Sequence, residues 1–299
     1  MSYPIPFLLF LAFTSGVYLI SRHLLPPLTG LLILLTRRTL GVILRTAFVS
    51  RLIMSSRERF SPLKAYAPVA LVVASGMLVT FWAADIFFDL VELLHSSSGV
   101  LEEVDTTAHS WAKEYRSGPA TLFFTLFTVV GGPSGLAVIL LLTTLLLCWR
   151  RRFRWAAYLT ITALGGGVLN LALKLHFARA RPDLSIALRH AGGFSFPSGH
   201  AMGSMAVFAA LAYIAIRAFP TPRERSASFA IAASVILTVG LSRIYLGVHW
   251  LSDIGAGFAA GGIWATFTTA AYESVRRIRA IRRRMGAEAI ALDTGESSR

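Results

Sequence analysis

The amino-acid sequence predicts an all-α integral-membrane protein, built as a bundle of membrane-spanning helices. Of its 299 residues, 55% are hydrophobic and only 15% are charged, whereas soluble domains carry about 25% charged residues. Several apolar runs approach or exceed the ~20 residues that a helix needs to cross a bilayer. These observations favour a polytopic membrane protein over a soluble protein with fully buried core helices.

The net charge of +14 would indicate nucleic-acid binding in a soluble protein. Here the arginines and lysines stand in clusters between apolar runs, at residues 37–64, 150–154, 217–225 and 276–284. Such clusters follow the positive-inside rule and indicate membrane orientation. We therefore expect the lipid bilayer as a partner and no nucleic acid, while the pattern leaves the oligomeric state open.

An N-terminal region, residues 1–64, precedes the predicted bundle. Its first apolar run, residues 6–20, lacks a basic start and a clear cleavage site, so we interpret it as a retained membrane segment. Residues 36–64 alternate arginines with apolar residues. This pattern is typical of an amphipathic segment that lies on a membrane surface.

Six stronger apolar runs predict a six-helix core within residues 65–273. They cover residues 66–91, 120–149, 155–175, 198–219, 229–246 and 250–272. In the last run, Gly257 and Gly261 form a GxxxG pair, which favours close helix packing. Residues 274–299 form a basic and then polar tail, whose end we expect to be frayed or disordered.

Alternation of the six spans places the basic clusters on one side of the membrane and the acidic segment 92–117 on the other. The positive-inside rule assigns the basic loops and the C-terminus to the cytoplasm. Residues 174–197 and 243–250 then face the opposite compartment, which is the periplasm in a bacterium. We therefore expect a multi-pass protein of the cell (inner) membrane.

Three polar clusters stand at the predicted span ends on this outer side. Charged side chains near the hydrocarbon core cost free energy, so such clusters favour a functional role. Lys174 and Arg181 are seven residues apart and would face the same way on a continuing helix. Ser198 is a natural N-cap, and Gly199 lets the backbone of the next helix approach an anion. Arg243 adds a third cation, and arginine binds phosphate oxygens in two-pronged fashion. Together these residues predict a phosphate cradle.

Two histidines and a carboxylate accompany the cradle. His249 and Asp253 are spaced i, i+4, so on a helix they would share a face and hydrogen-bond. A carboxylate bonded to one ring nitrogen leaves the other nitrogen as a nucleophile. His200, next to the cradle, is placed to protonate a leaving oxygen. No Cys/His cluster has metal-ligand spacing, and we expect neither a metal nor another cofactor.

Three motifs carry a family resemblance: K-x6-R-P at Lys174 to Pro182, P-S-G-H at Pro197 to His200, and S-R-x5-H-x3-D at Ser242 to Asp253. This ordered triplet resembles the signature of the type 2 phosphatidic acid phosphatase family. That family includes polyprenyl diphosphate phosphatases and is related to vanadium haloperoxidases. The resemblance covers residues 65–273 and implies a membrane helical bundle with its site at the outer face.

The resemblance also implies a role for each matching residue. It makes His249 the nucleophile that forms a phosphohistidine, Asp253 the residue that orients it, and His200 the general acid. It assigns phosphate binding to a set of five residues: Lys174, Arg181, Ser198, Gly199 and Arg243. Arg179 stands where many family members carry an additional basic residue.

The expected activity is metal-independent hydrolysis of a membrane lipid phosphate or diphosphate. We expect undecaprenyl diphosphate first, and phosphatidate or phosphatidylglycerol phosphate second. A phosphotransferase that passes the phosphate to another lipid remains an alternative. A non-catalytic lipid-phosphate binder or transporter is disfavoured, because it would need the cradle but not His249, Asp253 and His200. A haloperoxidase is disfavoured because those enzymes are soluble.

Overall fold

The computed structural model describes residues 61–96 and 99–293, together with Ser15. All regular secondary structure in residues 61–96 and 99–293 is helical, which confirms the predicted all-α fold. Apart from Ser15, the predicted segment 6–20 lies outside the described residues, as does most of the predicted segment 36–64. The described helices are α1 (Ser61–His95), α2 (Val100–Glu114), α3 (Gly118–Val130), α4 (Pro133–Trp149), α5 (Phe153–Phe177), α6 (Gly199–Ala218), α7 (Pro222–Tyr245) and α8 (Leu251–Asp293).

Four of these helices are long and apolar enough to cross a membrane, namely α1 from Ala65 onward, α5, α6 and α7. Helices α3 and α4 meet that condition only as a pair, bent by 52° at Gly131 and Gly132, so the described residues hold up to five spans. The predicted count of six is therefore not confirmed. The sixth predicted span, residues 250–272, forms the first part of α8, where several glycines and Asp253 lower the hydropathy.

Residues 92–117, interpreted from the sequence as a connecting segment, are largely helical because α1 extends to His95 and α2 follows. Gly99 precedes α2 with a φ of 71°, a left-handed conformation that favours glycine. Glu102 and Glu103 lie in the first turn of α2, where the helix dipole favours negative charge. Helix α2 packs against α7, and Asp105 is buried on α2.

Helix α8 continues without a break to Asp293, so most of the predicted C-terminal tail is helical. Arg276 and Arg277 pair with Glu273 at 2.6 and 2.8 Å, at the i, i+3 and i, i+4 spacings that stabilise helices. The contacts divide the described residues into two compact units. All the predicted site residues belong to the unit that contains residues 79–269.

The GxxxG pair of α8 lies against the beginning of α6. A Cβ atom at Gly257 would stand 2.8 Å from the carbonyl oxygen of Ser198, and one at Gly261 would stand 2.7 Å from that of Met202. Only residues without a side chain permit such an approach, which confirms the interpretation of the pair as a close packing contact. This contact holds the beginning of α8 beside the beginning of α6, and both helices carry predicted site residues there.

Candidate active site

The predicted site residues lie at or near the ends of α5 and α7 and the beginnings of α6 and α8. Lys174 is in the last turn of α5, Arg243 is in the last turn of α7, and Asp253 is in the first turn of α8. Ser198 and Gly199 stand at the beginning of α6. The main chain connects two of these ends directly, because the N–H of Ser198 donates to the carbonyl oxygen of Asp253 at 2.9 Å.

His249 precedes α8, which begins only at Leu251. The expectation that it shares a helix face with Asp253 is therefore wrong, yet the two side chains are hydrogen-bonded. Nδ1 of His249 lies 3.2 Å from Oδ2 of Asp253, and the same oxygen accepts the N–H of Trp250 at 2.9 Å. Because the carboxylate only accepts, Nδ1 carries the proton and Nε2 keeps its lone pair.

The environment of His249 favours the neutral imidazole. The side chain is 2% exposed. Burial lowers the pKa of His249 to about 4, although the hydrogen bond and the charge of Asp253 act to raise that pKa. A neutral ring with a lone pair on Nε2 is the form that a nucleophile requires.

Arg181 is held by a loop and not by a helix. Helix α5 ends at Phe177, and Ala178 follows with a left-handed φ of 45°. The helix therefore does not continue to Arg181, which was the condition for Lys174 and Arg181 to share a helix face. The guanidinium of Arg181 donates at 2.7 to 3.2 Å to a set of backbone carbonyl groups, those of Gly192, Gly193, Phe194 and Val248. Its Nη1 atom also lies 3.1 Å from Nε2 of His249.

Lys174 reaches the same loop from the end of α5. Its Nζ donates to the carbonyl oxygens of Phe194 at 2.6 Å and Ser195 at 3.3 Å. Lys174 and Arg181 therefore converge as expected, but through residues 192–195 of the connection between α5 and α6.

Two buried atoms at the beginning of α6 and the end of α7 lack hydrogen-bond partners among the described residues. Ser198 is the N-cap residue of α6, but its side chain makes no capping bond, contrary to expectation. Its Oγ and the Nε of Arg243 are both buried and unpaired. On its other side, Arg243 donates from Nη1 to Oγ1 of Thr128 at 2.5 Å. Unpaired buried polar groups are costly, and a bound anion is one partner that either donor could take.

Three positive charges, those of Lys174, Arg181 and Arg243, lie close to one another. Lys174 and Arg243 each lie within electrostatic range of Arg181. His200, in the first turn of α6, lies within range of these three cations and of His249. Clustered cations repel one another, and a bound phosphate would relieve the repulsion. The beginning of α6 adds free backbone N–H groups, which favour an anion further.

The profile of the PAP2 superfamily matches residues 154–277. This part of the chain is similar to members of the PAP2 superfamily. The chain is 34% identical over 130 residues to phosphatidylglycerophosphatase B of Bacillus subtilis strain 168. The aligned region covers 43% of this chain and 64% of that protein. It is 36% identical over 125 residues to a lipid A 1-phosphatase of Rhizobium etli. The aligned region covers 39% of this chain and 50% of that protein. The chain thus matches between half and two thirds of the length of these relatives.

The fold is similar to a crystal structure of a transmembrane PAP2-type phosphatidylglycerolphosphate phosphatase from Bacillus subtilis. The TM-score is 0.59 at 26% identity, over 64% of this chain and 94% of that chain. These comparisons confirm the family resemblance that the three motifs indicate. Together with the apolar helices, they support a multi-pass membrane protein that is similar to PAP2-type phosphatases.

Sequence reasoning missed two residues that contact the candidate site. Thr128 on α3 accepts a hydrogen bond from Arg243, and a threonine inside an apolar run gives no signal of such a role. Asp105 on α2 pairs with Arg179 at 2.8 Å. Arg179 lies within the first motif, but no sequence pattern indicates that it pairs with Asp105 and Asp253.

Proposed function

We propose that this PAP2 protein is an integral-membrane phosphatase that hydrolyses a terminal phosphate from a membrane lipid through a phosphohistidine at His249. The observation that carries the proposal is Nε of Arg243, which is buried without a partner among the described residues and lies within electrostatic range of Arg181 and His200. The names of the two curated relatives, a phosphatidylglycerophosphatase and a lipid A 1-phosphatase, support a lipid phosphate as the substrate.

In the proposed first step, the phosphate lies among the side chains of Lys174, Arg181, Ser198 and Arg243 and the backbone N–H groups at Gly199. These donors stabilise the negative charge on its equatorial oxygens. Nε2 of His249 attacks phosphorus, and the bond from phosphorus to the leaving oxygen breaks. His200, which takes up a proton when the phosphate anion binds beside it, gives this proton to the leaving oxygen, so a lipid monophosphate leaves as an alcohol.

In the second step, water attacks the phosphohistidine. His200, now unprotonated, takes a proton from this water, inorganic phosphate forms, and Nε2 of His249 is released. Asp253 accepts the Nδ1 hydrogen bond of His249 throughout and stabilises the positive charge that develops on the ring. The same phosphohistidine would serve a phosphotransferase if a second lipid replaced water, which remains the alternative.

The substrate that we favour carries a phosphate at the end of a lipid. Phosphatidylglycerol phosphate and lipid A phosphorylated at position 1 are supported by the names of the relatives. Undecaprenyl diphosphate, expected first from the sequence, stays a prediction, as does phosphatidate. A diphosphate has the better leaving group, so its hydrolysis should depend less on His200 than hydrolysis of a phosphate monoester.

We propose that the site faces the periplasm and that the basic clusters face the cytoplasm. The support is that the site lies at the end of α5 and the beginning of α6, whereas residues 150–154 and 217–225 lie at the opposite ends of these helices. The test begins with Cys148→Ser, which removes the single cysteine. Asp183→Cys should then react with an impermeant thiol reagent in intact cells, and Arg152→Cys should not. The reverse pattern would overturn the orientation.

Phosphate release by the purified full-length protein in detergent tests the function. The panel contains phosphatidylglycerol phosphate, lipid A 1-phosphate, phosphatidate, undecaprenyl diphosphate and a water-soluble phosphate ester, each with and without an acceptor lipid. We expect release from at least one lipid, a fall of at least about 10⁴-fold in His249→Ala, and normal release in the matched control His176→Ala, since His176 is exposed. Turnover of the soluble ester alone would refute the lipid assignment. Transfer to the acceptor in place of release would favour the alternative.

A further inference from the structure

We propose that Asp105 of α2 and Arg179 are positioning residues, which hold Asp253 and, through it, His249 in the geometry needed for attack on the phosphate. The proposal rests on the proposed function and extends it to a helix outside the segment that matches the PAP2 profile. It gives Arg179 a role different from that of a further phosphate ligand.

Arg179 links two buried carboxylates. Its Nη1 donates to Oδ1 of Asp253 at 2.7 Å, and its Nη2 donates to Oδ2 of Asp105 at 2.8 Å. Asp253 is 0% exposed and Asp105 is 1% exposed. Buried carboxylates are stable only when they are paired and hydrogen-bonded, so each needs the guanidinium that they share.

Ser252 closes the network between Asp105 and α8. Its backbone N–H donates to Oδ1 of Asp105 at 2.9 Å, and its Oγ donates to Oδ2 of Asp105 at 2.5 Å. The same Oγ accepts from Nη1 of Arg179 at 2.7 Å. Asp105 therefore satisfies an N–H group in the first turn of α8, which helix geometry leaves without a partner. It fixes both the helix end that carries Asp253 and the cation that contacts Asp253.

These contacts determine the orientation of the Asp253 carboxylate. Arg179 occupies Oδ1, which leaves Oδ2 for Nδ1 of His249 and the N–H of Trp250. The guanidinium carbon of Arg179 also lies 5.7 Å from the ring centroid of Trp250, so the cation contacts the residue between His249 and α8. Rotation of the carboxylate would break the bond to Arg179, and the direction of the His249 ring follows from that restraint.

The charges of the network suit the proposed reaction. Two carboxylates share one guanidinium, so one net negative charge remains beside the imidazole. The ring becomes positive as Nε2 bonds to phosphorus, and a fixed negative charge near Nδ1 stabilises that state. Loss of Asp105 would let Arg179 neutralise Asp253 alone and would free Ser252. We therefore expect the chemical step to suffer more than substrate binding.

The first test compares kcat, KM and the inhibition constant of vanadate for the full-length protein with its best lipid substrate. Asp105→Asn and Arg179→Gln should lower kcat on the order of tenfold to hundredfold, with KM within about twofold of the wild-type value. The inhibition constant of vanadate should rise with the loss in kcat, because vanadate resembles the transition state. Arg179→Lys should recover part of the loss in Arg179→Gln. Glu103→Gln is the matched control, because it removes an exposed carboxylate from the same helix. Ser252→Ala deletes one hydroxyl and no charge and should give a smaller loss in kcat.

The second test combines variants, since residues that act through one another are not additive. In an Asp253→Asn background, Asp105→Asn should lower kcat by less than about twofold. A merely structural role would instead give the same loss in both backgrounds, with matching losses in melting temperature, and that result would overturn the proposal. Equal activity of Asp105→Asn and Glu103→Gln would overturn it as well, while the proposed function would stand. A wild-type protein that releases no phosphate from any lipid would overturn the proposed function and the positioning role together.

Discussion

Nη1 of Arg181 lies 3.1 Å from Nε2 of His249, the ring nitrogen opposite to the one that contacts Asp253. The nitrogen assigned as the nucleophile therefore faces a donor from the residue assigned to phosphate binding. A phosphate oxygen is a stronger acceptor than an imidazole nitrogen, because hydrogen bonds between ionised groups are the strongest in proteins. We expect bound substrate to draw this N–H away from Nε2 and leave its lone pair free for attack.

Arg181→Lys should therefore be far from conservative. A lysine has no planar fork and cannot reproduce the contacts of Arg181 with the carbonyl groups of residues 192–194 and Val248. We expect kcat/KM for lipid phosphate to fall by about 100-fold or more. Arg217→Lys, at an exposed position at the other end of α6, is the control. Wild-type kcat/KM in Arg181→Lys would remove Arg181 from the phosphate site.

The pKa of His249 sets the acid limit of activity. Since burial lowers this pKa from 6.5 to about 4, the neutral nucleophile is fully present at pH 7 and is lost only as the pH falls through about 4. The acid limb of kcat/KM should consequently lie near pH 4. Asp253→Asn removes interactions that raise this pKa, so the limb should not move to higher pH. A wild-type limb centred near pH 6.5 would contradict the buried, neutral state of His249.

Gly257→Ala should destabilise the protein and lower its activity. The new Cβ would stand 2.8 Å from the carbonyl oxygen of Ser198 and 2.9 Å from Cβ of Ala201, so α8 must move away from the beginning of α6. Overpacking of this kind costs about 1–3 kcal/mol. Gly262→Ala is the matched control, because a Cβ there meets nothing within 4 Å. Thermal unfolding in detergent measures both variants, and equal melting temperatures would refute the packing argument.

Activity should persist in the presence of a chelator. In the proposed mechanism, Lys174, Arg181 and Arg243 supply the positive charge that other phosphatases take from metal ions. Vanadate should inhibit, since it adopts the five-coordinate geometry of the transition state and would occupy the same cradle. Phosphate release is measured with and without chelator on the same preparation. Complete loss that one added metal reverses would contradict the assignment of these three cations.

The motif residues could be found from the sequence because the family resemblance fixes their spacing. The way in which the side chains of these residues are brought together could not be predicted from the spacing. Lys174 and Arg181 converge through a loop and not along a helix, and His249 meets Asp253 from outside α8. The spacings i, i+7 for Lys174 and Arg181 and i, i+4 for His249 and Asp253 are typical of a shared helix face. In the structure, loop residues bring each pair together instead.

The partners of the motif residues could not be predicted, because they are remote in the sequence. Asp105 is 147 residues from Ser252, and Thr128 is 115 residues from Arg243. Polar residues of this kind carry no local pattern. By contrast, the bend between α3 and α4 had a local signal, since Gly131, Gly132 and Pro133 interrupt the long apolar run there.

The most direct test of the account is to trap the phosphorylated enzyme. The full-length protein is mixed with a lipid substrate carrying a radiolabelled terminal phosphate, quenched in alkali within milliseconds to seconds, and digested for mass spectrometry. We predict a label that is stable to alkali and labile to acid, located on His249, and absent from His249→Ala, which should remain folded and still bind the lipid substrate. Steady phosphate release with no label on the wild-type protein, or a label that survives in His249→Ala, would contradict the phosphohistidine mechanism.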